Sequence, residues 1–169
     1  GAFFKTMPSE EELAQHYSSY FSDNKIYSRE ESCEEKRYRR NSALMRVEMI
    51  KDCLIDQRFL ANAKILEIGF GQGYFIKEIA GQCKEILGVD FSIDNLSNEH
   101  QELSRFCTAD NPTQFLKNLA SSSTRYDVIV LNHVLEHSPN PSQLITLVKN
   151  ILTNNGIICV EIPNDFSDF

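Results

Sequence analysis

Apolar residues fall along this chain in two alternating rhythms. Short continuous runs occur at Ile65-Leu66-Glu67-Ile68, Glu85–Val89, Leu103–Thr108, Tyr126–Leu131 and Ile157–Ile162. Runs of this length, rich in Ile, Val and Leu, suit strands covered on both faces. Between them lie stretches with helical spacing. Ser32 and Glu35 have the spacing of a capping box and open a helix expected to reach about Arg58, with Leu44, Val47, Ile50 and Leu54 as its apolar stripe. A second helix starts near Gly73, and a short helical piece spans Asp94 to Gln101. Pro112 begins another, with Phe115, Leu116 and Leu119 on one side and Ser121 to Ser123 at its end. Pro139-Asn140-Pro141 begins the last, whose face is Leu144, Val148, Ile151 and Leu152, and Asn154-Asn155-Gly156 is expected to close it with a left-handed cap. Near the start, Ser9 and Glu12 suit a short helix carrying Leu13 and Tyr17, and Tyr20 to Arg29 shows no clear period.

Strands alternating with helices predict an α/β fold: a doubly wound, mainly parallel sheet that binds its ligand outside the carboxyl ends of the strands. A length of 169 residues suits one core. We divide it into an N-terminal helical cap over residues 1–60 and an α/β core over residues 61–169.

Composition narrows the chemistry. The net charge of −7 argues against a long phosphate backbone as partner, since such binding draws on many Lys and Arg contacts. The basic run Lys36, Arg37, Arg39 and Arg40 follows Glu30, Glu31, Glu34 and Glu35, and reads as a solvated helix face with pairs such as Glu35 and Arg39. The five cysteines form no C-x-x-C pair and read as small core residues of a reducing compartment. No apolar run approaches the ~20 residues of a membrane helix, and no export signal opens the chain, so a cytoplasmic location is expected.

The chemistry concentrates between Lys64 and Phe91. Gly69, Gly71 and Gly73 follow the first strand directly, giving a turn that a ligand can approach closely. A dinucleotide turn, G-x-G-x-x-G, would need glycine at position 74, where this chain has Tyr74. The string is instead E-x-G-x-G-x-G, from Glu67 to Gly73.

That string resembles the first motif of the class I S-adenosylmethionine-dependent methyltransferases, and three later segments are similar to the same family in the same order. Asp90 and Phe91 end the second strand, Asp110 follows Cys107-Thr108-Ala109, and Asn132-His133-Val134-Leu135-Glu136-His137 resembles the V-L-E-H segment of small-molecule methyltransferases such as the ubiquinone-biosynthesis type. Ile158 to Asn164 resembles the fifth strand and its P-N ending.

The resemblance implies a Rossmann-like methyltransferase fold, S-adenosylmethionine as cofactor with S-adenosylhomocysteine as product, and a small-molecule methyl acceptor. It implies that Glu67 helps to hold the cofactor's ammonium group. Gly69, Phe70, Gly71 and Gly73 lie under the methionine moiety, and Asp90 accepts hydrogen bonds from the ribose hydroxyls. Phe91 flanks the adenine, Asp110 accepts a hydrogen bond from its amino group, and Asn132 and His133 complete the cofactor wall. His137 is a candidate general base for a hydroxyl acceptor, and holding the loop backbone is its other use.

His133, Glu136 and His137 would share one side of a helical turn. Such a group can hold a metal or orient a substrate, and we assign no metal. A nicotinamide-dependent oxidoreductase and a methyltransferase-like binding module without turnover are the rival readings. The family's sheet normally finishes with a helix and an antiparallel strand pair, which this sequence does not reach, so a longer parent protein is expected.

Overall fold

The computed structural model describes residues 31–54 and 58–163, together with Glu12. Apart from Glu12, which is helical, the helix expected from Ser9 and the segment Tyr20 to Arg29 lie outside the described residues. Helix α1 spans Cys33–Cys53. Its capping box closes as expected: Glu35 N–H donates to Ser32 Oγ at 3.2 Å and Ser32 N–H to Glu35 Oε2 at 2.8 Å. Ala43, Arg46, Val47 and Ile50 form its buried face. The helix does not continue to Arg58. Leu54 turns extended and is buried, and a separate short helix, α2, covers Arg58–Asn62 and buries Leu60.

The order then runs β1 (Lys64–Ile68), α3 (Tyr74–Ile79), β2 (Glu85–Asp90), β3 (Cys107–Ala109), α4 (Pro112–Ala120), β4 (Tyr126–Asn132), α5 (Pro141–Asn150) and β5 (Leu152–Glu161). All five strands pair in parallel in the order β3-β2-β1-β4-β5. The chain order reverses between β1 and β4, which places a topological switch point at the carboxyl end of β1. Side chains alternate across the sheet. Ile65 packs with Val47, Ile50, Ile76, Val128 and Val130 on the α1 and α3 side. Leu66 and Ile68 pack with Leu116, Ile129, Leu131, Leu144 and Val148 on the α4 and α5 side.

Two boundaries differ from expectation. Residues Asn98–Phe106 form a 3-10 coil rather than the start of a strand, because Leu103 turns into the α1-side core. Only Cys107–Ala109 pair with β2, along its edge from Gly88 to Asp90. At the other end, Asn154-Asn155-Gly156 is no left-handed cap: none of these residues has positive φ, and all three belong to β5. Tyr126 faces Leu152 while Val128 faces Ile157, so the intervening residues of β5 bulge out. Asp127 pins that bulge, accepting from Thr153 Oγ1 at 3.1 Å and from Lys64 N–H at 2.9 Å. A Cβ at Gly156 would stand 2.7 Å from Leu152, which explains the glycine by close approach.

Ile129 is fully buried at the centre of the sheet. Ile129→Ala is expected to cost about 2–5 kcal/mol, read as a lower urea midpoint with an unchanged slope.

Candidate functional site

The carboxyl ends of β1, β2 and β4 open into a cleft of about 650 Å³, and α1 forms its opposite wall. The glycine turn is the floor. Gly69, Gly71 and Gly73 have φ of 74°, 49° and 84°, in the region that side chains disfavour. A Cβ at Gly69 would meet Val134 at 2.6 Å and one at Gly73 would meet Leu96 at 2.7 Å, whereas Gly71 faces open space. Gly69 and Gly71 therefore line the cleft, and Gly73 supports it from below as the N-cap of α3.

Glu67 stands at the centre of this floor. It is 2% exposed, and its Oε2 has no hydrogen-bond partner among the described residues. Burial pushes its carboxyl well above the usual range, and Asp90 adds to the effect while Arg46 opposes it. Asp90, from β2, is also buried, with its carboxyl raised by desolvation. Its oxygens accept from Gly71 N–H at 2.9 Å, Phe91 N–H at 2.7 Å and Asn95 Nδ2 at 3.0 Å. A carboxylate offers about four acceptor positions, so about one is left open on a residue that lines the cleft. Asn132, from β4, lines the opposite side, and its Oδ1 has no hydrogen-bond partner among the described residues.

Phe70 and Phe91 also line the cleft. Asp110 does not. Its Oδ1 accepts from Asn111 N–H at 2.7 Å, and the wall beside it is formed by Asn111, Pro112 and Thr113.

His133 and His137 reach the cleft on the loop after β4. They do not share a helical turn, because His133 is left-handed (φ 53°) and only Leu135–His137 coil into a 3-10 turn. His133 Nδ1 lies 3.1 Å from Glu136 and its Nε2 3.5 Å from Glu161, and His137 Nε2 is 3.9 Å from Glu136. Glu161 also accepts from Arg46 Nε at 2.6 Å, and that bond holds its carboxyl below the ordinary value. The result is a chain of polar contacts from α1 across β5 to the β4 loop. Among the described residues, no three His, Cys, Asp or Glu side chains gather as a metal site.

The α1 wall of Tyr38, Arg39, Ser42 and Arg46, with Gln72 and Tyr74 beside it, did not emerge from sequence reasoning. Arg46 carried a signal: it falls between Ala43 and Ile50 at helical spacing, a charge set into a buried stripe. Tyr74, where a dinucleotide turn needs glycine, turns its hydroxyl to Glu31 at 2.7 Å.

An open parallel sheet with a glycine turn at its switch point, acids ending two neighbouring strands and a helical wall above them defines a Rossmann-like domain of the methyltransferase type. The methyltransferase domain family profile matches residues 34–168, and the chain belongs to that family. It is 32% identical over 111 residues to the ubiquinone biosynthesis O-methyltransferase of Glaesserella parasuis, a match covering 62% of this chain and 47% of that protein. The match thus spans about half the length of that relative. Its fold is similar to a SAM dependent methyltransferase from Archaeoglobus fulgidus (TM-score 0.60, 20% identity, 88% of this chain and 60% of that one). It is also similar to the plantazolicin methyltransferase BpumL, solved with a triazolic desmethylPZN analog and SAH (TM-score 0.60, 23% identity, 92% and 60%).

Glu67 makes a test of this site possible without any ligand. Its folded carboxyl is raised, so between the ordinary carboxylate range and that higher value the folded state binds more protons than the unfolded one. Stability contributed by the neutral form is then lost as pH rises through this window. Glu67→Gln is expected to unfold at a higher urea concentration than the unaltered chain at pH 7.5, with the advantage shrinking as the pH approaches about 4.

Proposed function

We propose that this chain transfers a methyl group from S-adenosylmethionine to a small-molecule acceptor in the cytoplasm. The observation that carries the reading is Glu67: a buried carboxylate with an unpartnered oxygen, at the end of the central strand, across a glycine turn from Asp90. A buried acid of this kind is stabilised by a cation that arrives with the ligand. An amino-acid ammonium group supplies that charge, and Asn132 Oδ1 is a second acceptor for its N–H groups. Arg46, close enough to influence Glu67, suits the carboxylate of the same amino acid. The open acceptor position of Asp90 suits ribose hydroxyls. Phe91 and the Asn111–Thr113 wall, which Asp110 precedes in the chain, suit a flat adenine, with Gly69 and Gly71 leaving the room between.

When bound, the cofactor supplies an electrophilic methyl group on a sulfonium. What this chain contributes is position and dryness. The sheet ends fix one side, α1 covers the other, and a nucleophile entering between α1 and the β4 loop is held for in-line attack. The oxygen acceptor of the O-methyltransferase relative supports a hydroxyl acceptor here. His137, on that loop, would take the hydroxyl proton, with Glu136 beside it to orient the ring. The net charge of −7 disfavours nucleic-acid acceptors. Among the described residues, no helix is long and apolar enough to cross a membrane.

Calorimetry with S-adenosylhomocysteine tests the reading. Asp90→Ala is expected to weaken its binding about ten- to hundredfold, in line with the loss of charge-assisted hydrogen bonds. An unchanged affinity would count against the assignment. A screen of small hydroxyl compounds with mass detection of the methylated product separates turnover from binding alone.

A further inference from the structure

Two arginines of α1 face the cleft, and the donor accounts for one. Arg39 and Arg46 are seven positions apart, so they lie on the same helix face about 10 Å from each other along the axis. Arg46 donates from Nε to Glu161 at 2.6 Å, and Arg39 Nε stands 2.6 Å from Glu31 Oε1 as an ion pair without hydrogen-bond alignment. A guanidinium has five N–H donors, so both keep donors to spare. Arg46 is the one whose charge acts on Glu67. The ammonium and carboxylate of an amino acid sit on one carbon, so the donor's carboxylate lies near Arg46 and out of reach of Arg39. The remaining donor groups, a sulfonium, a ribose and an adenine, carry no negative charge for Arg39 to meet.

The mounting of Arg39 differs from that of the nearby lysines, and Arg40 shares it in part, since its partner Glu78 is 17% exposed. Lys36–Glu99 and Lys77–Glu102 pair exposed partners, as solvated surface charges do. Glu31, by contrast, is only 12% exposed and also accepts from the Tyr74 hydroxyl at 2.7 Å. Tyr74 packs edge-on against His100, whose Nδ1 is 2.8 Å from Gln72 O, so the clasp is anchored to the glycine turn itself. The only carboxylates lining the cleft among the described residues are Glu67 and Asp90, both on its floor, while Arg39, Arg46, His133 and His137 line the walls. Arg39 and Arg46 are thus cations that line the cleft, each backed by its own carboxylate.

Resting on the methyl-donor reading above, we propose that Arg39 recognises the acceptor and that the acceptor is an anion, bearing a carboxylate or a phosphate. Tyr74 and Glu31 are its positioning residues, and Tyr38, largely exposed beside it, offers an aromatic shelf for the acceptor's body. This gives Tyr74 a task in this chain beyond excluding a dinucleotide.

The test uses the full chain saturated with S-adenosylhomocysteine, titrated with benzoate, phenyl phosphate, benzamide and benzylamine by ligand-observed NMR. One or both anions are expected to bind at least about tenfold more tightly than benzamide or benzylamine, as a charge-assisted contact requires. Arg39→Gln is expected to abolish that preference while S-adenosylhomocysteine still binds, and Tyr74→Phe to reduce it by several fold. Arg39→Lys restores it in part, because lysine keeps the charge and loses the fork. Equal binding of benzoate and benzamide, or an anion preference that survives Arg39→Gln with S-adenosylhomocysteine bound, overturns the proposal. Failure of the unaltered chain to bind S-adenosylhomocysteine overturns the methyl-donor reading beneath it.

Discussion

A carboxylate set at the end of the central strand, 2% exposed, is the constraint on which the rest of the site depends. Burying a charged group without a partner costs several kcal/mol, and the group responds by holding its proton more tightly. Glu67 could relieve that cost by turning to solvent, but the strand forbids it. Its neighbours Leu66 and Ile68 point into the α4 and α5 core, so alternation sends Glu67 to the α1 side. There it faces a helix that contributes Arg46 to the same space. The arginine tempers the acid without bonding it, because its closest partner is Glu161. The site therefore holds an acid whose remaining need is cationic, which is the property a ligand can exploit.

The same logic extends to Asp90. Parallel pairing brings Ile68 level with Val89, so the two acids end adjacent strands on either side of the glycine turn. Gly71 serves both neighbours: its N–H stabilises Asp90 at 2.9 Å, and its missing side chain leaves the space between them open. The second acid is already engaged by three N–H donors and the first is not. Two carboxylates one strand apart thus differ in what they lack, one hydrogen-bond position against a whole charge. That difference gives the cleft a direction.

The sheet and its floor were legible because their signals are local. Short apolar runs, a glycine turn and acids at strand ends can be read within a few residues, and the strand order follows from their alternation with helices. The boundaries that moved depend on tertiary packing. Leu103 reads as a strand residue until the core beneath Gly73 claims it, and Asn154-Asn155-Gly156 reads as a cap until Asp127 ties the bulge into β5. The cleft's other wall was hidden for a related reason. Arg39 and Arg46 look like members of a charged helix, and their partners Glu31 and Glu161 stand at very different distances in sequence.

That hidden wall matters because it is built under a different constraint from the floor. The geometry of the floor leaves little latitude: a Cβ at Gly69 or Gly73 collides with packed side chains. The α1 wall is under no such restriction, since a helix face accepts most side chains at little cost. A half-buried acid held by a tyrosine and set beside an arginine is a costlier way to decorate such a face than a solvated pair. An exposed lysine would have served solubility equally well. The Tyr74–Glu31–Arg39 arrangement keeps a guanidinium beside the cleft instead, and that place has value only when something specific lies opposite.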